Sequence, residues 1–300
     1  MTDLVIRPIT ADEVGLFESL PDPGLVGFAA FGDTYAGMAA ADQYRPEWTW
    51  VALRDGVVVA RAAWWAGPHD DKPLALDWFD FTDHDAGVRL LCESPLHAQY
   101  SLLLPPGWRD DPAIRQQGQA RLDAAQAAGL APLVERFRYR WTPECGVPAR
   151  PSRLEFRPEP DDSAFFDVFR RIHAGSLDAH VRRTIAESGL DAAAQEELDY
   201  LRWMPSPREW WRLAYTPDGD LVGLSVPSRN YNHPIIGYIG VVPEHRGHGY
   251  AYDLLVEATH FLADEGVDRI VAGTDQTNHP MAATFAKAGY PVAQERIDLI

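Results

Sequence analysis

The chain has 300 residues, of which 46% are hydrophobic, and its formal net charge is −17. The length exceeds that of one average domain and predicts two, while the negative charge argues against nucleic acid as a partner. No run of about eighteen uncharged apolar residues occurs in the sequence, so we predict no membrane span.

Cysteine and histidine usage gives no sign of a metal site. Cys92 and Cys145 fit no metal-ligand spacing, and the ten histidines are scattered along the chain. The first residues lack the basic and apolar segments of a signal peptide, so we expect a cytoplasmic protein with reduced thiols. We therefore predict no bound metal.

The first half begins with a strand-like segment at 4–8. Two apolar runs, 50–53 and 57–65, flank an Arg-Asp-Gly turn and predict a hairpin. A further strand is predicted at 74–81. The segment that follows it, 82–87, contains two aspartates, which would repel a phosphate, and no glycine-rich motif.

The second half repeats this order after about 150 residues. Its first strand-like segment, 154–158, matches the spacing of arginine and proline in 4–8, and both are followed by acidic residues and a helical pattern. Between the copies, 141–152 contains three prolines and a glycine. We therefore predict a degenerate first domain at 1–143, a linker at 144–152 and a second domain at 153–300.

In the second domain, segments with the apolar spacing of a helix alternate with segments that have the apolar pattern of a strand. Its long helical segment is amphipathic and corresponds to one or two helices. In chain order we predict helix at 163–201, a hairpin from 211–215 and 221–226, a strand at 235–242, a helix at 250–265, a strand at 269–274, a helix at 279–288 and a strand at 292–300.

A short glycine-bearing loop, 243–249, joins the strand at 235–242 to the following helix. The first turn of a helix carries unpartnered N–H groups and partial positive charge, so small residues there form a plausible cradle for a pyrophosphate. A P-loop is excluded because no Lys-Ser/Thr pair follows. A dinucleotide fingerprint is disfavoured because Tyr252 takes the place of its third glycine. A tight connection without a ligand stays as an alternative.

Besides a P-loop and a dinucleotide fingerprint, a third interpretation of the loop at 243–249 comes from a resemblance to a known family. Arg246-x-x-Gly249-x-Ala251 resembles the R/Q-x-x-G-x-G/A loop of the GCN5-related N-acetyltransferases (GNAT). About forty residues later, Asn278 and the following 279–290 segment are similar to that family's N-x-x-A…Y-x-K-x-G-F/Y helix. Both matches occur in the family's order. The resemblance implies an α/β fold with two GNAT-like domains, each a mixed, mostly antiparallel twisted sheet flanked by helices.

The resemblance also implies a binding mode for acetyl-CoA. The pantetheine arm would pair with the backbone in a gap between two splayed strands, and the loop would hold the pyrophosphate. Asn278 would bond the pantetheine from the far side, although Asn is also a common helix N-cap. The implied cofactor-binding residues are Ile239, Gly240, Val241, Arg246, Gly247, His248, Gly249, Tyr250, Ala251 and Asn278.

The resemblance is incomplete at the general acid. The family's usual tyrosine, seven residues after the motif asparagine, is here Phe285. Three explanations stay open: another residue, Tyr238 or Tyr250, gives the proton; the thiolate leaves unprotonated; or the protein binds acyl-CoA without turnover. The backbone N–H of Val241 is the implied oxyanion donor. His233, Asp275 and Glu257 lie near in sequence, but none is identifiable as the base.

These expectations define two functions. The first is an N-acetyltransferase that transfers an acetyl group from acetyl-CoA to an amine, of a small molecule or alternatively of a protein N-terminus, by direct attack through a tetrahedral intermediate. The second is a non-catalytic acyl-CoA-binding sensor or scaffold. An acidic surface weakly favours a cationic acceptor. The oligomeric state is open, with a homodimer as one option.

Overall fold

The computed structural model describes residues 3–300. Within this range, twelve strands alternate with nine α-helices and with short 3₁₀ turns. The strands are β1 Leu4–Pro8, β2 Thr49–Arg54, β3 Val57–Trp65, β4 Ala75–Phe81, β5 Gln99–Leu104, β6 Pro132–Trp141, β7 Glu155–Pro158, β8 Arg212–Tyr215, β9 Leu221–Arg229, β10 Pro234–Val241, β11 Ile270–Asp275 and β12 Val292–Leu299. The helices are α1 Val14–Glu18, α2 Tyr35–Ala39, α3 His84–Glu93, α4 Pro112–Ala127, α5 Asp162–His173, α6 Ala179–Ser188, α7 Leu190–Trp203, α8 Tyr250–Asp264 and α9 His279–Lys287.

The chain divides into two compact units. Unit 1 contains Met1–Glu135 with Gln294–Ile300, and unit 2 contains Arg136–Ala293. The strand order is β1-β2-β3-β4-β5-β12 in unit 1 and β6-β11-β10-β9-β8-β7 in unit 2. Neighbouring strands are antiparallel in both sheets except for one parallel pair each, β4 with β5 and β10 with β11.

Each unit therefore takes one strand from the opposite half of the sequence. Strand β12, from the C-terminus, pairs antiparallel with β5 in unit 1, and most of β6 pairs antiparallel with β11 in unit 2. Ile297 and Leu299 of β12 are buried in the core of unit 1, and Tyr139 and Trp141 of β6 are buried in the core of unit 2. The compact units are divided after Glu135 and after Ala293. The predicted domain boundaries at 143 and 153 describe a different division of the chain and stay a prediction.

Helix α5 illustrates how the sequence builds the core of unit 2. The Asp161 carboxylate accepts the Ser163 N–H and begins the helix. The residues that it buries recur at the helical spacing i, i+3, i+4 and i+7, so one face packs on the sheet. They are Phe165, Val168, Phe169 and Ile172. The region 163–201, for which we predicted one or two helices, contains parts of three, α5, α6 and α7.

The parallel strand pair is short in both units. In unit 2, β10 and β11 pair only at Ile235↔Val271. In unit 1, β4 and β5 pair at Ala75↔Gln99 and Leu76↔Tyr100. No backbone pairing joins the two strands beyond these residues, towards their C-terminal ends, and we call this unpaired stretch the gap of each sheet.

Candidate functional site

The gap in unit 2 exposes unpaired backbone groups on one edge of β10. The Val242 N–H donates to the Val222 carbonyl oxygen at 2.9 Å, on the β9 side. Because adjacent residues of a strand direct their backbone groups to opposite edges, Val241 and Ile239 direct theirs towards β11, beyond the last paired residue. The Val241 carbonyl oxygen accepts from the Arg246 guanidinium, which leaves the Val241 N–H and the Ile239 groups. A pantetheine-like chain has unpaired strand backbone to bond along this edge.

Gly240 has a different role from its two neighbours on β10. Its carbonyl oxygen faces β9, since a Cβ built on Gly223 would lie 2.0 Å from it. A Cβ built on Gly240 itself would lie 2.7 Å from the Ile172 side chain and 2.9 Å from the Tyr238 ring. The missing side chain thus permits α5 and Tyr238 to pack closely against the strand.

The glycine loop leads from the end of β10 to an α-helix without a side-chain cap. Gly247 and Gly249 have φ angles of 82° and 77°, in the left-handed region that favours glycine. Gly249 is the N-cap of α8 and supplies no side-chain acceptor. Within residues 3–300 no acceptor contacts the backbone N–H groups of Gly247, Tyr250 or Ala251. This turn therefore has free donors and partial positive charge for an anion.

In unit 1 the corresponding helix is α3, and an aspartate side chain caps its N-terminus. Asp83 is the N-cap of α3 and accepts the Ala86 N–H at 3.1 Å. The Arg54 guanidinium donates to the same carboxylate at 2.5 Å. An aspartate thus occupies the position at which α8 leaves its donors free, and a phosphate there would meet like charge.

The gap in unit 1 is also filled by the chain itself. The Gly27 N–H donates to the Leu103 carbonyl oxygen of β5 at 2.8 Å. The Arg121 guanidinium, from α4, donates to the Phe79 carbonyl oxygen at 3.1 Å and to the Asp80 carboxylate at 2.7 Å. Phe79 lies on β4, which corresponds to β10, and Leu103 lies on β5, which corresponds to β11, so protein groups occupy backbone on both strands that flank the gap of unit 1.

Arg246 contributes to the site by holding the loop in place. Its guanidinium donates to the carbonyl oxygens of Val241, Gly175 and Ile172, at 3.2, 3.2 and 2.8 Å. These bonds connect the loop to the end of β10 and to the end of α5. The Arg246 side chain therefore positions the loop, and the backbone N–H groups are left to face a ligand.

Sequence reasoning missed Arg153, which lies against the glycine loop. Its guanidinium donates to the His248 carbonyl oxygen at 3.0 Å, pairs with the Asp253 carboxylate at 2.7 Å and lies 4.9 Å from the centre of the Tyr250 ring. The His248 ring stacks on the same tyrosine at 6.0 Å. No local pattern identifies Arg153, because it precedes the loop by nearly a hundred residues.

The second motif forms helix α9, and its two notable residues differ in environment. The Asn278 side chain accepts the Met281 N–H at 3.3 Å, which is the N-cap role considered above. Phe285 is 2% exposed, and its ring stacks on Tyr139 with 4.2 Å between centroids. Phe285 therefore packs in the core, and burial raises the pKa of the neighbouring Tyr139 hydroxyl to about 12.

Tyr238 lies on β10, three residues before Val241, and contacts a buried histidine. Its hydroxyl oxygen is 3.2 Å from Nε2 of His173, the last residue of α5. Burial raises the pKa of the Tyr238 hydroxyl well above its usual value. Burial lowers the pKa of His173 to about 4, so the imidazole is neutral at neutral pH.

A network of charged side chains surrounds the C-terminal end of β11. Arg136 lies 3.2 Å from both the Asp178 and the Asp275 carboxylates, and Asp275 also accepts the Ala179 N–H at 2.7 Å. Burial raises the pKa of Asp275, and Arg136 partly offsets this shift. Asp275 ends β11, so the network lies beyond the paired residues of β10 and β11. These contacts tie Asp275 to α6.

One further carboxyl group, which the sequence did not single out, has a raised pKa. Burial, reinforced by the carboxylates of Asp178 and Glu196, raises the pKa of Glu197 on α7 to about 8. A pKa near the working pH suits a general base. Of the residues considered from the sequence, Glu257 pairs with Arg150 at 3.3 Å, and His233 lies just before β10, at the end opposite the loop.

Residues 3–300 contain no group of three or more histidine, cysteine, aspartate or glutamate side chains placed to hold a metal ion. None of the helices in this range has the length and apolar character needed to cross a membrane.

Comparison with known proteins finds a family model that matches part of the second half. Residues 179–290 match the model described as the acetyltransferase (GNAT) family. This segment contains a GNAT domain. No curated protein sequence matches the chain.

Solved structures extend the GNAT fold over the whole chain. A GCN5-related N-acetyltransferase from Sphaerobacter thermophilus has a TM-score of 0.59 at 15% identity, covering 99% of this chain and 94% of that one. A tandem GNAT protein from the clavulanic acid biosynthesis pathway has a TM-score of 0.54 at 17% identity, covering 99% and 98%. The predicted fold class, α/β with two GNAT-like domains built on mostly antiparallel sheets, is confirmed.

Proposed function

We propose that this protein is an N-acetyltransferase that transfers an acetyl group from acetyl-CoA to an amine of a small molecule. GNAT membership indicates acyl transfer from an acyl-CoA. The observation that carries the proposal is the uncapped N-terminus of α8, which lies next to the open edge of β10. This arrangement has donors for a pyrophosphate and for a pantetheine arm in one continuous surface.

Binding of acetyl-CoA would use the groups that the structure leaves free. The N–H groups of Gly247 to Ala251 would hold the pyrophosphate, with Arg246 and Arg153 fixing the loop. Ile239 would pair with the pantetheine through its backbone, the Val241 N–H would face the thioester at the end of the same edge, and Gly240 gives the close packing described above. Asn278 would add a contact from α9 besides capping that helix.

The chemical step would be direct attack of the amine nitrogen on the thioester carbon. The Val241 N–H, which faces the gap, would stabilise the oxyanion. Tyr238 would give a proton to the sulfur as the C–S bond breaks, because Phe285 has no hydroxyl and is packed in the core. Placing the amine against the bound thioester would supply much of the acceleration.

A second function rests on the same phenylalanine. With Phe285 in the core, helix α9 presents no acid at that position, which favours a non-catalytic acyl-CoA sensor or scaffold. Release of free thiol from acetyl-CoA, measured with a panel of small amines and with an N-terminal peptide, separates the two functions. Turnover with any amine excludes the sensor, and preference for the peptide would overturn the small-molecule acceptor.

Replacement of Gly249 tests the cradle. Gly249→Glu places a carboxylate at the N-terminus of α8, where it would take the position of the anion and repel it. We expect coenzyme A binding, measured by calorimetry, to weaken by at least about 100-fold, since like charge replaces several charge-assisted hydrogen bonds.

Gly266→Glu is the matched control for this substitution. Gly266 follows the other end of α8 with a φ of 75°, and a Cβ there would meet nothing within 4 Å. Both variants therefore pay a similar backbone cost of about 1–2 kcal/mol. Equal, unweakened coenzyme A binding by both variants, or no binding by the parent protein, would overturn the proposed function.

A further inference from the structure

His173 and Tyr238 form a polar pair between α5 and β10. His173 is 1% exposed, and its Nε2 lies 3.2 Å from the Tyr238 hydroxyl oxygen. Phe169 packs against both rings, with centroid distances of 5.7 Å to His173 and 5.1 Å to Tyr238. This packing fixes the direction from which the imidazole meets the hydroxyl.

The surroundings of Nδ1, the second ring nitrogen of His173, indicate which nitrogen of the neutral imidazole carries the hydrogen. Nδ1 of His173 is buried and has no hydrogen-bond partner among residues 3–300. In a neutral imidazole one nitrogen carries hydrogen and the other accepts. A buried N–H without an acceptor is rarer in proteins than an under-satisfied acceptor. The hydrogen is therefore expected on Nε2, where it meets the Tyr238 oxygen.

We infer that His173 is a positioning residue that donates from Nε2 to Tyr238 and leaves the tyrosine proton free to point at the leaving sulfur. The inference rests on the proposed function, because it assigns a task within the same transfer. It also explains how β10 supplies the proton that position 285 does not.

Tyr238 and His173 can account for every proton that moves during acetyl transfer. The amine nitrogen bonds to the thioester carbon, the C–S bond breaks, and its electron pair goes to sulfur, which takes the proton of Tyr238. The resulting phenolate oxygen is held by the Nε2–H of His173. The proton that the product nitrogen sheds then returns to the phenolate, so one proton leaves nitrogen and one reaches sulfur.

Charged groups around the pair come from three neighbouring segments. Glu197 of α7, Asp178 at the start of α6 and Arg246 of the loop act on Tyr238, and Asp178 acts on His173. The Asp178 carboxylate favours the protonated hydroxyl, as does Glu197 when it is ionised, and Arg246 opposes them. The hydroxyl therefore retains its proton until the thiolate forms beside it.

Nitrogen NMR of histidine-labelled protein tests the proton position without any assay of turnover. The chain has ten histidines, and the His173 signals are those absent from His173→Gln. We expect a neutral ring at pH 7 with hydrogen on Nε2, and a shift of that N–H signal in Tyr238→Phe. Hydrogen on Nδ1, or a protonated ring, would overturn the inference, since the tyrosine would then donate to His173 or face a cation.

Kinetics of paired variants test the consequence for catalysis. The Gln side chain places an N–H near the Nε2 position, whereas the shorter Asn side chain does not reach it. We expect kcat to fall about 100-fold in Tyr238→Phe and His173→Asn, and to be largely retained in His173→Gln, with KM for acetyl-CoA unchanged. The double variant Tyr238→Phe with His173→Asn should be no slower than Tyr238→Phe alone.

The outcomes distinguish this inference from the proposed function. If coenzyme A binds and amines are acetylated while Tyr238→Phe retains the parental kcat, the pair has no part in the transfer and only the inference fails. Equal losses in His173→Gln and His173→Asn would also overturn it, because they would reflect packing. Failure of the parent protein to bind coenzyme A would remove the proposed function, and the NMR result would then decide the proton position alone.

Discussion

At the scale of single residues, the site depends on which side chains are buried without charge. Phe285 stacks on Tyr139 in the core, so the position that resembles the family's acid is used for packing. Tyr238 and His173 are also largely removed from water, but they retain polar groups that meet each other. All three side chains are shielded from water, and what distinguishes Tyr238 and His173 from Phe285 is that they have polar atoms that can exchange a proton.

The pH dependence of stability should report the buried state of His173. Its pKa is about 4 in the folded protein, against 6.5 for an unperturbed histidine, so the unfolded chain takes up the proton first as pH falls. The contribution is fully present above pH 6.5 and is lost towards pH 4, by at most about 3 kcal/mol. The groups that act on the pair are Glu197, Asp178 and Arg246.

Urea unfolding at several pH values between 7 and 4.5 checks this expectation. The free energy of unfolding should fall more steeply for the parent protein than for His173→Gln, which has no titrating group at this position. Parallel profiles for the two proteins would show that His173 titrates alike in the folded and unfolded chains.

At the scale of elements, the notable feature is that each unit contains a strand from the opposite half of the sequence. The last strand of the chain completes the sheet of unit 1, and β6 extends the sheet of unit 2. Buried side chains on these strands thus stabilise a unit far from them in sequence. A substitution in one of these strands should therefore destabilise the unit whose sheet contains the strand, and not the unit formed by its neighbours in sequence.

Reciprocal substitutions test this arrangement. Leu299 is fully buried in the core of unit 1, and Trp141 is 2% exposed in the core of unit 2. Leu299→Ala should destabilise by about 2–5 kcal/mol, with faster amide hydrogen exchange concentrated in 49–104. Trp141→Ala should instead speed exchange in 211–275. Faster exchange around 270–290 in Leu299→Ala, with 49–104 unchanged, would contradict the assignment of β12.

At the scale of the whole molecule, two similar sheets differ in what fills their gaps. In unit 1, Gly27 and Arg121 donate hydrogen bonds to strand carbonyl oxygens, and the Asp83 carboxylate caps α3. In unit 2, the edge of β10 and the start of α8 keep free donors. This asymmetry predicts that the two units differ in their ability to hold acetyl-CoA.

The stoichiometry of binding follows from that asymmetry. We expect calorimetry to give one coenzyme A per chain, because only unit 2 offers free N–H groups without a competing carboxylate. Asp83→Gly removes the cap of α3 but leaves Gly27 and Arg121 in place, so it should not create a second site. Two molecules bound per parent chain would contradict the assignment of unit 1 as degenerate.

The sequence by itself determined the features that depend on neighbouring residues. The hairpins follow from their turns, α8 follows from its periodicity, and the loop before it follows from glycines at 247 and 249, whose left-handed φ other residues rarely adopt. Both motifs are local patterns, so the fold class could be predicted from them, and the cradle that they indicate stays a prediction.

Only the tertiary structure decided the features that join distant parts of the chain. The sheet in which β12 lies, the contact of Phe285 with Tyr139, the meeting of His173 with Tyr238 and the approach of Arg153 to the loop all join residues separated by tens to hundreds of positions. Such contacts follow from how the strands are ordered and how the helices pack on them. A local pattern has no access to that order, because the free energy that selects it belongs to the whole packed core.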